Sequence, residues 1–186
     1  MAATKLALYS AALRHIGERK LASLSENREP RRVLDDAYDQ VVAECLEAGQ
    51  WHFAIRTVKI DSSPSLTPAF GWSYGFDKPE DWVRTAGISS TEKFDPPLSR
   101  FIDETDYWMA DVDPIYVRFV SKDTEFGMDL GRWPPGFTRF VELSLALAVC
   151  ERLTQNGAKG ETLARDLKRA KRDALGKDAM NGATPR

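Results

Sequence analysis

Cysteine is scarce in this chain of 186 residues: only Cys45 and Cys150 occur. They lie far apart, each among helical-looking apolar residues. No disulfide framework and no Cys-x-x-Cys pair is available, which fits a reducing interior. Histidine is as scarce, with His15 and His52 alone. Neither belongs to a His-x-x-x-His or Cys/His cluster, so the zinc signatures are excluded. Charge of one sign is missing too. Lys and Arg number 26 against 28 Asp and Glu, for a formal net charge of −2. Such a balance gives no overall pull toward nucleic acid or an acidic membrane, and leaves only local patches. Long hydrophobic runs are absent: the longest, Leu143 to Cys150, falls far short of the ~20 residues that span a bilayer. The first ten residues carry one basic residue and no such run, so no signal peptide is expected there. What is present is ordinary globular composition, 42% hydrophobic and 29% charged. Global disorder is excluded, and the length suits one domain or a domain with a small insertion.

The hydrophobic pattern reads as helices, then strands, then helices. Leu6, Tyr9, Leu13 and Ile16 share a face of a helix at about 4–17, with Thr4 as N-cap and Gly17 as stop. Val33, Leu34, Ala37, Tyr38, Val41, Val42, Cys45 and Leu46 form the stripe of a second helix at about 30–48, with Pro30 near its start and Gly49 after its end. Arg31, Arg32, Asp35, Asp36 and Asp39 are expected as its solvated face. Trp51 to Ile60 is aromatic and β-branched and predicts a strand. Trp72, Tyr74 and Phe76 alternate. Trp82 to Ile88, Phe101-Ile102, Tyr107 to Met109 and Ile115 to Val120 predict further short strands. Their short turns suggest an antiparallel meander over about 51–121. Helices return at about 135–154 and 160–175, with Asn156-Gly157 as the break. The expected fold is α+β: a mainly helical bundle of two N-terminal and two C-terminal helices with one small antiparallel sheet inserted. Residues 1–175 form the domain, and 176–186 are expected to be a flexible tail.

Most of the chemistry on offer fails on context. Gly71-Trp72-Ser73-Tyr74-Gly75 matches the G-x-S-x-G nucleophile elbow. That elbow needs a strand before it, a helix after it and a later His. Here a Pro/Ser-rich stretch precedes it, Phe-Asp-Lys-Pro follows, and both histidines come earlier. Asp103, Glu104, Asp106, Asp111 and Asp113 are rich in the oxygen ligands that hard cations prefer, but show no EF-hand spacing. Solvated hairpin loops are expected instead. His15 and His52 are read as packing or capping residues. Gly131 to Gly136 has the spacing of two Walker glycines, but Phe137 stands where the Lys must be. The strongest charge feature is the last helix, with Arg165, Lys168, Arg169, Lys171, Arg172 and Lys177, diluted by Glu161, Asp166 and Asp173. It reads as a solvated helix with internal ion pairs, as a docking element for an acidic partner, or as a contact with DNA phosphates.

The order of these segments resembles the head-to-tail adaptor proteins of tailed phages, the tail tubular protein A group. The resemblance is carried by Ala12-Leu13-Arg14-His15-Ile16-Gly17 and by Leu46-Glu47-Ala48-Gly49-Gln50-Trp51-His52-Phe53-Ala54-Ile55-Arg56, which looks like the family's helix-end and W-x-F-A-x-R junction. Tyr74-Gly75-Phe76 with Pro79-Glu80-Asp81-Trp82-Val83-Arg84 is similar to its Y-x-x-P-x-D-x-x-R segment. Ile115 to Val120 and Phe137 to Thr154 are like its late strand and long helix. Each motif is short; their order and spacing over most of the chain give the resemblance its weight. Gly75-Phe76-Asp77-Lys78 departs from the plainer apolar strand end of the pattern. The resemblance implies a virion protein without catalysis or cofactor, made in the bacterial cytoplasm and located in the neck. It implies a dodecameric ring beneath the portal protein that extends the channel for double-stranded DNA, without sequence specificity, and a platform for a tail or nozzle protein. No membrane partner is implied. The portal contact is expected on Arg165, Lys168, Arg169, Lys171, Arg172, Lys177 and Arg186. The competing readings are a DNA-binding packaging or regulatory protein, suggested by the basic helix, and a hydrolase built on Ser73.

Overall fold

Helix ends are written locally in this sequence. The Thr4 hydroxyl accepts from the Ala7 amide at 3.2 Å and opens the first helix, and Gly17 closes it at φ +78°, a conformation that favours glycine. A computed structural model of the chain describes residues 3–181. Within them run α1 (Lys5–Ile16), α2 (Glu29–Glu47), β1 (Ile55–Ile60), β2 (Tyr74–Asp77), β3 (Trp82–Ser89), β4 (Ile102–Asp103), β5 (Tyr107–Ala110), β6 (Ile115–Ser121), α3 (Pro135–Thr154) and α4 (Gly157–Ala179). The class is α+β. Helix α3 is central, because its buried residues, among them Phe137, Phe140, Val141, Leu143, Leu145 and Val149, point in several directions. Helices α1, α2 and α4 each pack against it.

The expected single inserted sheet on a mainly helical bundle is corrected. The insertion holds two three-stranded antiparallel sheets, ordered β1-β6-β3 and β2-β5-β4. Nor is it a meander, since β1 pairs with β6 from Ile55↔Val120 to Ile60↔Ile115. The two sheets face each other across a core of their own. Phe76, Trp108 and Ala110 from one sheet meet Ile88, Ile115, Val117 and Phe119 from the other. Strand β6 serves both cores: Val120 belongs to the helical core, while its neighbour Phe119 belongs to the β core. This follows from the twofold alternation of strand side chains.

Two boundaries also differ. Trp51 is followed by a 3-10 turn, His52–Ala54, and the strand begins only at Ile55. The tail expected from 176 is in fact helical to Ala179. Gly176 sits where an added Cβ would meet nothing within 4 Å, so it faces open space without ending the helix. Its intrinsic cost, about 1 kcal/mol relative to Ala, is offset because the last turn is anchored at Asp178. Residues 182–186, Arg186 among them, lie outside the described residues. No helix among the described residues is long and apolar enough to cross a membrane.

Candidate functional site

The corner where α2 gives way to the β insertion collects most of the motif residues. Trp51 turns into the helical core, and its indole N–H donates to the Cys45 carbonyl at 2.8 Å. Its ring meets Phe137 edge-on at 4.8 Å between centroids. One residue on, His52 faces α4: its backbone N–H reaches both Asp178 carboxylate oxygens at 3.2 Å and its Nδ1 lies 2.9 Å from Oδ2. Asp178 is buried, so this bond ties the end of α4 to the corner. On the other side, the Arg56 guanidinium donates to Asp81 Oδ1 at 2.8 Å, and the Ser121 hydroxyl donates to Asp81 Oδ2. Arg84 donates to the Glu47 carbonyl at 3.1 Å. The two motif segments, 51–56 and 79–84, thus meet in one joint between helices and sheets.

Burial acts against ionisation of Asp81, but the bonds from Ser121 and Arg56 outweigh it and hold the carboxyl below its ordinary 3.8. A depressed carboxylate contributes stability that is fully present above the unfolded value and is lost as pH falls through the folded one. Asp81→Asn, which keeps the shape and removes the charge, is therefore expected to flatten the fall of stability below about pH 4. Urea unfolding midpoints of both proteins across the acid range check this. Parallel curves would show that the joint does not depend on the charge.

The basic residues of α4 from Arg165 to Lys177 are all exposed but do not form one surface, whereas Lys159 is half-buried against the end of α1. Arg165, Lys168 and Arg172 follow i, i+3, i+7 spacing and share the side of α4 away from its buried Leu163, Ala170 and Ala174. Arg169 and Lys177 instead flank a groove of about 300 Å³ beside the start of α3, where Arg139 joins them and Asp166 and Asp173 offset the charge. Lys168 also borders, with Lys171, a second groove of about 360 Å³ between α2 and α4. Arg139 was missed by sequence reasoning, because it lies outside the basic run and only the packing of α3 on α4 brings it near.

The other candidates have structural tasks. Ser73 donates through its backbone N–H and its hydroxyl to Asp111 Oδ1, at 3.1 and 3.2 Å, and a strand, not a helix, follows it. Asp113 accepts from the Ser62 amide and hydroxyl, and Asp103 from Lys78. Among the described residues no three His, Cys, Asp or Glu side chains are grouped to hold a metal ion. Burial, with the neighbouring Arg14 and Arg139, lowers the pKa of His15; the end of α1 is closed by Gly17 and by the Lys159 ammonium of α4, which donates to the Ile16 carbonyl. Asp35, expected on a solvated face, accepts from the Tyr9 hydroxyl at 2.8 Å and pairs with Arg31 and Lys5. Burial pushes the Cys45 thiol up to about 11, which keeps it from acting as a thiolate nucleophile at neutral pH.

No protein-family model matches the chain, and no curated protein matches it significantly.

Proposed function

We propose that this chain is a structural virion protein, a head-to-tail adaptor of a tailed phage. Copies of it would form a ring beneath the portal, extend the DNA channel and offer a platform to a tail or nozzle protein, with DNA passing without sequence readout. The observation that carries this reading is the meeting of its two motif segments at one joint, with Arg56 on Asp81 at 2.8 Å and Arg84 on the Glu47 carbonyl. A resemblance borne by architectural residues supports an architectural role. The engagement of Ser73 and of the hairpin carboxylates in loop bonds supports a role without catalysis.

Quantitative mass spectrometry of purified particles tests this. Near-equal copy number with the portal protein is the expected result. Absence from mature particles would overturn the reading and favour a DNA-binding packaging or regulatory protein.

The portal-facing surface in this reading is the exposed side of α4. Reversing Arg165, Lys168 and Arg172 to Glu together is expected to weaken portal binding at least tenfold, which is about 1.4 kcal/mol. All three side chains are exposed, so the thermal midpoint should stay unchanged. Binding that is indifferent to the triple reversal would move the portal contact to another face. Truncation from Gly176 is a poorer test, because it removes Asp178 and with it the tie to His52.

A further inference from the structure

The loop between β1 and β2 stands apart chemically. From Ser62 to Phe76 no residue is charged, in a chain that is 29% charged. At its tip Phe70 is 87% exposed, an unusual position for a phenyl ring. The loop is nonetheless held in shape. Ser62 bonds to Asp113 and Ser73 to Asp111, and Ser63 donates its N–H to the Gly75 carbonyl at 2.8 Å. Leu66 covers Gly75, where any Cβ would meet it at 2.4 Å. A pinned loop presents its apolar tip at little further cost in conformational entropy.

The same chain has a site suited to such a tip. Helices α2 and α4 both pack on α3 and leave a groove of about 360 Å³ between them. Its floor is Phe140 and Leu147, and its walls are Cys45 and Ala48 on one side and Ala164 and Leu167 on the other. The polar atoms on the floor are already bonded: the Cys45 thiol donates to Ser144 Oγ, and Ser144 donates to the Phe140 carbonyl at 2.9 Å. What remains is mostly apolar surface, with Lys168 and Lys171 at the rim on the α4 side and Glu44 on the α2 side. An uncharged aromatic ring suits that mixed rim, since its negative face attracts the ammonium groups and it brings no charge to be desolvated or to repel Glu44.

We infer that Phe70 of one copy inserts into the α2–α3–α4 groove of the next, as the lateral contact between copies of this chain. The loop and the groove are different surfaces, so the contact is head-to-tail and propagates until rotation closes it. Closure into a ring rests on the adaptor reading; the contact itself does not.

Sedimentation velocity on the full-length chain tests the contact, with two variants at exposed positions. Phe70→Ser removes the tip, and Ala164→Arg fills the groove. The wild type is expected to associate with concentration. Each variant alone is expected to self-associate at least tenfold more weakly, with an unchanged melting temperature. Mixed together they are expected to stop at one-to-one dimers, because only the loop of one and the groove of the other remain intact. A photoreactive benzoylphenylalanine at position 70 should cross-link to peptides of α2, α3 or α4 from another copy. A wild type that stays monomeric up to its solubility limit would overturn the inference, as would Phe70→Ser assembling like wild type or cross-links mapping elsewhere. Assembly through another surface would leave the adaptor reading standing, whereas absence from particles would defeat that reading and leave this contact standing.

Discussion

Trp51→Ala is expected to destabilise the protein by about 4 kcal/mol, within the range for truncating a buried Trp. At this chain length that is a fall of roughly 8–16 °C in melting temperature. Three losses combine. The indole is 1% exposed, so its removal leaves a cavity at the centre of the helical core. The edge-on contact with Phe137 at 4.8 Å disappears, and with it the packing on Phe140 at 6.2 Å. The Cys45 carbonyl, in the last turns of α2, loses the N–H that now satisfies it at 2.8 Å, and an unmet buried acceptor costs about 1–3 kcal/mol. Trp51→Phe keeps one aromatic ring and loses the N–H with part of the indole volume, so it retains most of the ring packing and should cost clearly less. Urea denaturation of both variants is the measurement. A loss below about 1 kcal/mol for Trp51→Ala would mean that the corner is not part of the core.

The frame around Trp51 was legible in the sequence because helices are local. Apolar residues every three or four positions, Thr4 before α1 and Gly17 after it carry their own bounds, and α1 and α3 formed close to where these signals put them. Strand pairing is not local. Nothing near Ile55 names Val120 as its partner, so the short strands read as one meander when they form two sheets. Lys78 shows the same limit. A lysine in an Asp-Lys-Pro turn suggests solvent, yet its side chain is 4% exposed, with its ammonium 3.5 Å from the Trp82 ring centroid and paired with Asp103. Only the second sheet supplies Asp103.

For the candidate site the division is similar. The basic run on α4 was readable as composition. Its split into an outward face and two groove rims depends on where α2 and α3 lie against it, as the approach of Arg139 to Arg169 and Lys177 illustrates. The tie between His52 and Asp178 joins positions 126 apart and had no sequence signal. Phe70 had one, the uncharged stretch around it, which carries information only once the ring is known to be exposed.

Trp108→Ala is expected to cost about as much as Trp51→Ala, about 4 kcal/mol, although it lies in the other core. Trp108 is fully buried, its indole N–H donates to Thr85 Oγ1 at 2.9 Å, and its ring meets Trp82 edge-on at 6.5 Å and Phe119 at 6.5 Å. The more informative outcome is which elements melt with it. If the β insertion were an independent unit, its loss would leave the helical signal in place. Three features argue for one cooperative transition. Val120 and Phe119, adjacent on β6, belong to different cores, so β6 cannot leave one without disturbing the other. Asp81 links Arg56 of β1 to Ser121 of β6 at the joint, and Arg84 of β3 donates to the end of α2. Helical circular dichroism and tryptophan fluorescence are therefore expected to fall together in Trp108→Ala, at a midpoint lowered by a similar amount to that of Trp51→Ala. Helical signal persisting past the fluorescence transition would show that the joint transmits less than its hydrogen bonds suggest, and that the β insertion unfolds on its own.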